Sequence, residues 1–164
     1  MSKTEAHLKE AFAGESQANR TYLAFAAQAE KDGHPAVARL FRAAAQAETV
    51  HAHAHLRALG GVHDTASNLR DAVSGETHEF TSMYPRMIAD AEAEGSRAAA
   101  RSFRLANEVE QVHARLYQKA LEALGNNVLT DYWVCDVCGN TVEGEPPDTC
   151  PVCGAKRAAF RKVD

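Results

Sequence analysis

The feature that most constrains what this chain can fold into is a repeat of four acidic and two imidazole side chains. Glu15 is followed by Glu48-x-x-His51, and Glu76 by Glu110-x-x-His113. The two intervals are nearly equal, about nine helical turns each. Positions i and i+3 lie on one face of a helix, so each Glu-x-x-His pair converges on one point. Carboxylates pointing into a helical core are too costly without counter-charge. One Glu from each of two helices, with Glu-x-x-His from each of the other two, is how bundles hold two iron or manganese ions.

The rest of the sequence supplies the four helices. Leu8, Phe12, Glu15, Ala18, Tyr22 and Phe25 recur at helical spacing between about Lys3 and Lys31. Asp32-Gly33 ends that helix, and Pro35 suits the first turn of the next, which runs to about Leu59 and stops at Gly60-Gly61. "GGVHDTAS" reads as a linker. A third helix is expected from near Asn68 to about Glu94, bent at Pro85. Gly95-Ser96 offers a stop and a cap, and a fourth helix continues to Leu124. Short loops within each pair predict two antiparallel hairpins and an all-α four-helix bundle. Alanine-rich stripes predict close packing.

Helical angle sorts the neighbouring histidines of "AETVHAHAH". His53 faces well away from Glu48, and His55 returns to that face about 10 Å along the axis, where it is expected to support a ligand rather than be one. Glu79 follows Glu76 by one turn and shares its face; it is either a surface residue or a fifth carboxylate of the site. In the second case the excess negative charge favours the ferric state and offers a hard oxygen ligand in competition with His51. Tyr22 and Tyr84 lie about two turns beyond Glu15 and Glu76; each either packs its ring or orients a ligating carboxylate through its hydroxyl.

Composition changes after "GNNVLTD". All four cysteines follow, as Cys135-x-x-Cys138 and Cys150-x-x-Cys153. Two such knuckles make a tetrahedral Cys₄ site, for structural zinc or for a single redox-active iron. A module this small needs its metal to fold. Tyr132, Trp133 and Phe160 are placed to shield the sulfurs or to form the module's core. The expected domains are therefore 1–126, the bundle, and 130–164, the cysteine module. A formal charge of −4 without a basic run argues against nucleic acid. No apolar run reaches membrane-spanning length, and the N-terminus lacks a signal-peptide core, so a cytoplasmic location is expected.

The stretches "GESQANRTYLAFA", "AETVHAHAHLRALGG", "GETHEFTSMYP", "VEQVHARLY" and "YWVCDVCGN…CPVCGA" resemble the rubrerythrins over nearly the whole chain. The resemblance implies a ferritin-like di-iron bundle fused to a rubredoxin-like Fe(Cys)₄ domain. It implies a peroxidase that reduces hydrogen peroxide to water, with electrons from NAD(P)H through a reductase or rubredoxin partner. Glu15, Glu48, Glu76, Glu79, Glu110, His51 and His113 match the family's di-iron ligands, with Glu48 and Glu110 as its bridges. One iron is expected to move between His51 and Glu79 as the site is oxidised. No ligand position departs from the pattern, and the cysteine module has a shorter central loop than free rubredoxins. Zinc in place of iron is an expected substitution.

Assembly follows from reach. If Glu48 and Glu76 sit at one height, the Gly60–Ser67 linker must cover about 28 Å, against about 30 Å for eight fully extended residues. A homodimer exchanging hairpins is therefore expected. Two other functions compete: an iron-oxidising or iron-storing protein, which needs no electron-transfer module, and an electron carrier or redox sensor whose bundle is only a metal holder.

Overall fold

The computed structural model describes residues 2–163. Ser2 opens the first helix by accepting the Glu5 amide at 3.1 Å, and α1 runs over Lys3–Lys31. Its end is set by Gly33, whose φ of +80° places it in the left-handed region that closes a helix. Pro35 then stands at the start of α2 (Pro35–Ala58), where its missing N–H costs nothing.

The α1–α2 hairpin closes on small residues. Ala26, Ala29, Ala38, Ala45 and Ala52 are buried, with Phe41 packed over the first three. Alanine at the contact lets two helices approach at the short end of the usual spacing, about 8 Å. Asn19 fixes the register: its Nδ2 donates to the Ala45 carbonyl at 2.6 Å and to Thr49 Oγ1 at 2.9 Å. Asn19 lies one turn after Glu15, and Thr49 adjoins Glu48, so this clasp sets the height of one carboxylate against the other. The Glu30–Arg42 ion pair at 2.8 Å is exposed and adds little.

The second helical hairpin begins earlier than the sequence suggests. The carboxylate of Asp64 caps the helix by accepting the Ser67 amide at 2.8 Å, so α3 spans Thr65–His78 rather than starting at Asn68. The third helix is also not one rod bent at Pro85. A π-helical turn occupies Glu79–Met83, and α4 follows over Tyr84–Ala93. Proline has no N–H for the preceding turn and its ring crowds the carbonyl behind it. The widened turn meets that demand: Tyr84 N–H bonds the Glu79 carbonyl five residues back, and Pro85 enters at the start of the new helix. Helix α5 covers Arg97–Glu122 and packs on α3 and α4, burying Ala91, Ala100, Val109 and Ala114.

The C-terminal module is a three-stranded antiparallel sheet ordered β2–β1–β3, from β1 (Tyr132–Cys135), β2 (Thr141–Glu143) and β3 (Phe160–Lys162). Trp133, Val142, Val152 and Phe160 pack around Cys135 and Cys150. Two compact units result, Met1–His63 and Asp64–Asp164, and the cysteine module lies in the second. There β2 meets α5, where Lys119 pairs with Glu143.

Candidate metal centre

In the first unit, Glu15, Glu48 and His51 each bring a ligand atom within 4.8 Å of the others. Glu48 Oε2 and His51 Nδ1 are 2.8 Å apart. In the second unit, Glu76, Glu110 and His113 do the same, with Glu110 Oε2 and His113 Nδ1 at 2.7 Å. With bonds of about 2.0–2.1 Å, neighbouring donors stand about 2.9 Å apart around a six-coordinate ion and about 3.3 Å around a four-coordinate one, so each pair needs only a small separation to share an ion. His53 is exposed and lies outside this cluster, lining a cavity with Phe12, Ser16 and Asn19 of α1.

Like charges converge in the second unit. Burial raises the Glu76 carboxyl above its ordinary range, and the charge of Glu110 raises it further. Glu79 lies outside the three-residue cluster but is half-buried and feels the same field: burial, then Glu110, push its carboxyl up, with His78 and His113 opposing. Of the two alternatives for Glu79, an ordinary surface glutamate is the poorer description. Glu79 also opens the π turn, a wider backbone that frequently marks functional positions. Carboxylates gathered in this way are relieved by a cation.

The two tyrosines differ. Tyr84 packs on Phe103 with ring centroids 6.2 Å apart, and burial followed by the charges of Glu110, Glu79 and Glu76 raises its phenol. Its hydroxyl therefore stays protonated beside three carboxyl groups. Tyr22 packs on Phe41 at 6.1 Å.

The cysteines form the third cluster. Cys135 and Cys150 are buried. The Sγ atoms of Cys135 and Cys153, and of Cys138 and Cys150, are 3.7 Å apart. A tetrahedron with bonds of about 2.3 Å has edges of about 3.8 Å, so the four sulfurs are spaced for one ion. Burial pushes the Cys138 and Cys153 thiols up. Burial also opposes ionisation of Cys150, but the amides of Cys153 and Val152 outweigh it and its thiol falls below the usual range. Trp133 and Phe160 belong to the sulfur-packing core; Tyr132 does not, and instead lines a cavity against Leu116 and Ala120 of α5.

One contact carries no sequence signal. Thr141 Oγ1 lies 2.9 Å from His113 Nε2. Thr141 sits in a three-residue strand after the first knuckle, where neither periodicity nor a motif marks it.

Helical hairpins bearing Glu and Glu-x-x-His half-sites, followed by a Cys₄ knuckle module, define a non-haem di-iron protein of ferritin-like fold with a rubredoxin-like domain. The family description "Rubrerythrin" matches residues 7–121, and "Rubrerythrin, rubredoxin-like domain" matches 133–161. Rubrerythrin-2 of Clostridium acetobutylicum is 34% identical, covering 94% of this chain and 93% of that protein. Rubrerythrin of Porphyromonas gingivalis is 35% identical, covering 99% and 90%. A solved structure described as the fully reduced, all-ferrous state of nigerythrin superposes with a TM-score of 0.61 at 30% identity, covering 99% of this chain and 88% of that one. The chain belongs to the rubrerythrin family, and its carboxylate–histidine clusters and four cysteines are that family's di-iron and rubredoxin-like sites.

Proposed function

We propose that the protein is a peroxidase that reduces hydrogen peroxide to water, fed with electrons from an NAD(P)H-linked donor through its rubredoxin-like domain. The observation that carries this reading is that the cysteine module packs on α5, the helix bearing Glu110 and His113, and bonds His113 directly. Iron storage has no use for such a contact, and a free-standing electron carrier has no use for the convergent carboxylates. When bound, the iron pair supplies two electrons, which with two protons convert one peroxide into two waters. The chain's own groups do the rest. Glu15, Glu48, His51, Glu76, Glu110 and His113 hold the pair, and Glu79 stands ready as a further oxygen donor in exchange with His51. The phenol of Tyr84, kept protonated by burial and by the surrounding carboxylates, holds a proton within the site. Tyr22, packed on Phe41, takes a supporting place on the first hairpin. Cys135, Cys138, Cys150 and Cys153 hold the single iron. The functional division falls at 1–126 and 130–164, and the use of CxxC knuckles rather than disulfides suits a reducing, cytoplasmic setting.

The test is anaerobic. Iron-loaded, reduced protein receives one equivalent of hydrogen peroxide while the visible spectrum is followed. Rapid oxidation of both centres, with water and no oxygen as product, is expected. Oxidation by dioxygen as fast as by peroxide would overturn the reading in favour of iron oxidation.

We further propose that two copies complete each di-iron site, the first hairpin from one and the second from the other. Reach supports this. In a ferritin-like bundle the second and third helices run parallel, joined by one long crossover. With helices ending at Ala58 and starting at Thr65, the connector would span about 31 Å if Glu48 and Glu76 share a height. Its seven Cα–Cα steps reach only about 24 Å. The earlier start of α3 widens this shortfall and supports the exchange of hairpins between copies.

A further inference from the structure

Both ring nitrogens of His113 are engaged: Nδ1 meets Glu110 Oε2 at 2.7 Å, and Nε2 meets Thr141 Oγ1 at 2.9 Å. Thr141 Oγ1 also donates to the Gly139 carbonyl at 3.2 Å. With the hydroxyl proton directed to Gly139, Thr141 can accept from Nε2–H, which leaves Nδ1 to share a metal ion with Glu110. A histidine that binds metal through one nitrogen is fixed in tautomer and orientation by what the other bonds.

The partner in this case belongs to the cysteine module. Gly139 follows Cys138, and its amide donates to the Cys135 carbonyl at 2.8 Å. A Cβ on Gly139 would lie 3.9 Å from Val109 Cγ1, so the knuckle approaches α5 to van der Waals contact immediately before Glu110. Asn140, next in the chain, is buried. The repeat equates His51 with His113, and within the first unit His51 meets Glu48 at 2.8 Å as His113 meets Glu110; the contact to Thr141 is the addition at His113.

We propose that Thr141 is a positioning residue for His113: its hydroxyl, carried by the cysteine module, fixes the ring so that Nδ1 faces the ion that Glu110 would share. The proposal rests on the peroxidase reading. No bond is made or broken: the Nε2 proton stays in its hydrogen bond to Thr141, and the ring presents Nδ1 beside Glu110 to a bound ion.

The test compares Thr141→Val, which keeps shape and strand preference but removes the hydroxyl, with Thr141→Ser as the rescue. In zinc-loaded full-length protein, nitrogen-15 NMR should show an exchange-protected Nε2 proton on His113 in wild type and Thr141→Ser, and lose it in Thr141→Val. Zinc affinity at the carboxylate–histidine site should fall about tenfold in Thr141→Val and recover in Thr141→Ser. In iron-loaded, reduced protein given peroxide, the Fe(Cys)₄ chromophore should oxidise at least about tenfold more slowly in Thr141→Val, the scale of such outer contacts. Wild type and Thr141→Val that agree in all three readouts would overturn the proposal while leaving the peroxidase standing. Wild-type protein whose Fe(Cys)₄ colour ignores peroxide would overturn the peroxidase reading, and the two zinc measurements would still decide whether Thr141 positions His113.

Discussion

Two inactive variants should restore each other if the hairpins are exchanged between copies. Glu48→Ala with His51→Ala disables the first-hairpin half of the ligand set, and Glu110→Ala with His113→Ala the second. Each protein alone should lose its metal pair. In a mixed dimer with exchanged hairpins, one site receives both damaged halves and the other both intact ones. Random pairing makes half the dimers mixed, so the mixture should hold about a quarter of the wild-type di-iron content and peroxidase rate. Dimers selected through two affinity tags should hold about half. The connector supplies a second arm. Its shortfall is about 7 Å before any sideways step, so an insert of eight glycine and serine residues after Gly61, adding up to about 26 Å, lets one chain supply both hairpins. That insert should convert the protein to self-contained sites and abolish the restoration. Iron per protein and initial peroxidase rate are the readouts. Mixtures no better than either variant alone would refute the exchanged assembly and leave the peroxidase reading untouched.

Three further outcomes follow from the geometry. Glu76 and Glu79 have carboxyls raised above the ordinary value of 4.5, so the stabilisation from their bound protons is complete below that value and lost as pH rises through the raised ones. With the cysteine site loaded and the carboxylate site stripped, the melting temperature should decline with pH in that window; a double change to glutamine should flatten the decline, and a profile unaltered by it would refute the assignment. Trp133, the only tryptophan, packs in the cysteine core, so removing metal from the cysteines should shift its fluorescence to the red while helical circular dichroism persists. Unshifted emission would mean that the module folds without its ion. Ala38, at 0% exposure in the first hairpin, leaves no room for a larger side chain; Ala38→Leu should cost about 1–3 kcal/mol by overpacking, read as a lower melting temperature.

The ligand clusters were legible because they rest on helical periodicity. Glu48 with His51, and Glu110 with His113, are three residues apart, and a helix must place such pairs together whatever surrounds them. The α1–α2 turn was legible for the same local reason: Gly33 and Pro35 act within one or two residues of themselves. The third helix was not, because two local preferences compete there. Asp64 makes a better cap than anything nearer Asn68, and Pro85 is met by a widened turn instead of a bend. Both deviations have consequences beyond their own residues. The earlier start shortens the connector between the hairpins, and the π turn begins at Glu79, the carboxylate expected to compete with His51 for an ion. Thr141 was illegible for a different reason. Its significance depends on a contact 28 residues away in sequence, between a strand and a helix with unrelated periodicities. The repeat predicts that the two histidines are equivalent; packing of the cysteine module gives His113 a second partner, Thr141, beside Glu110.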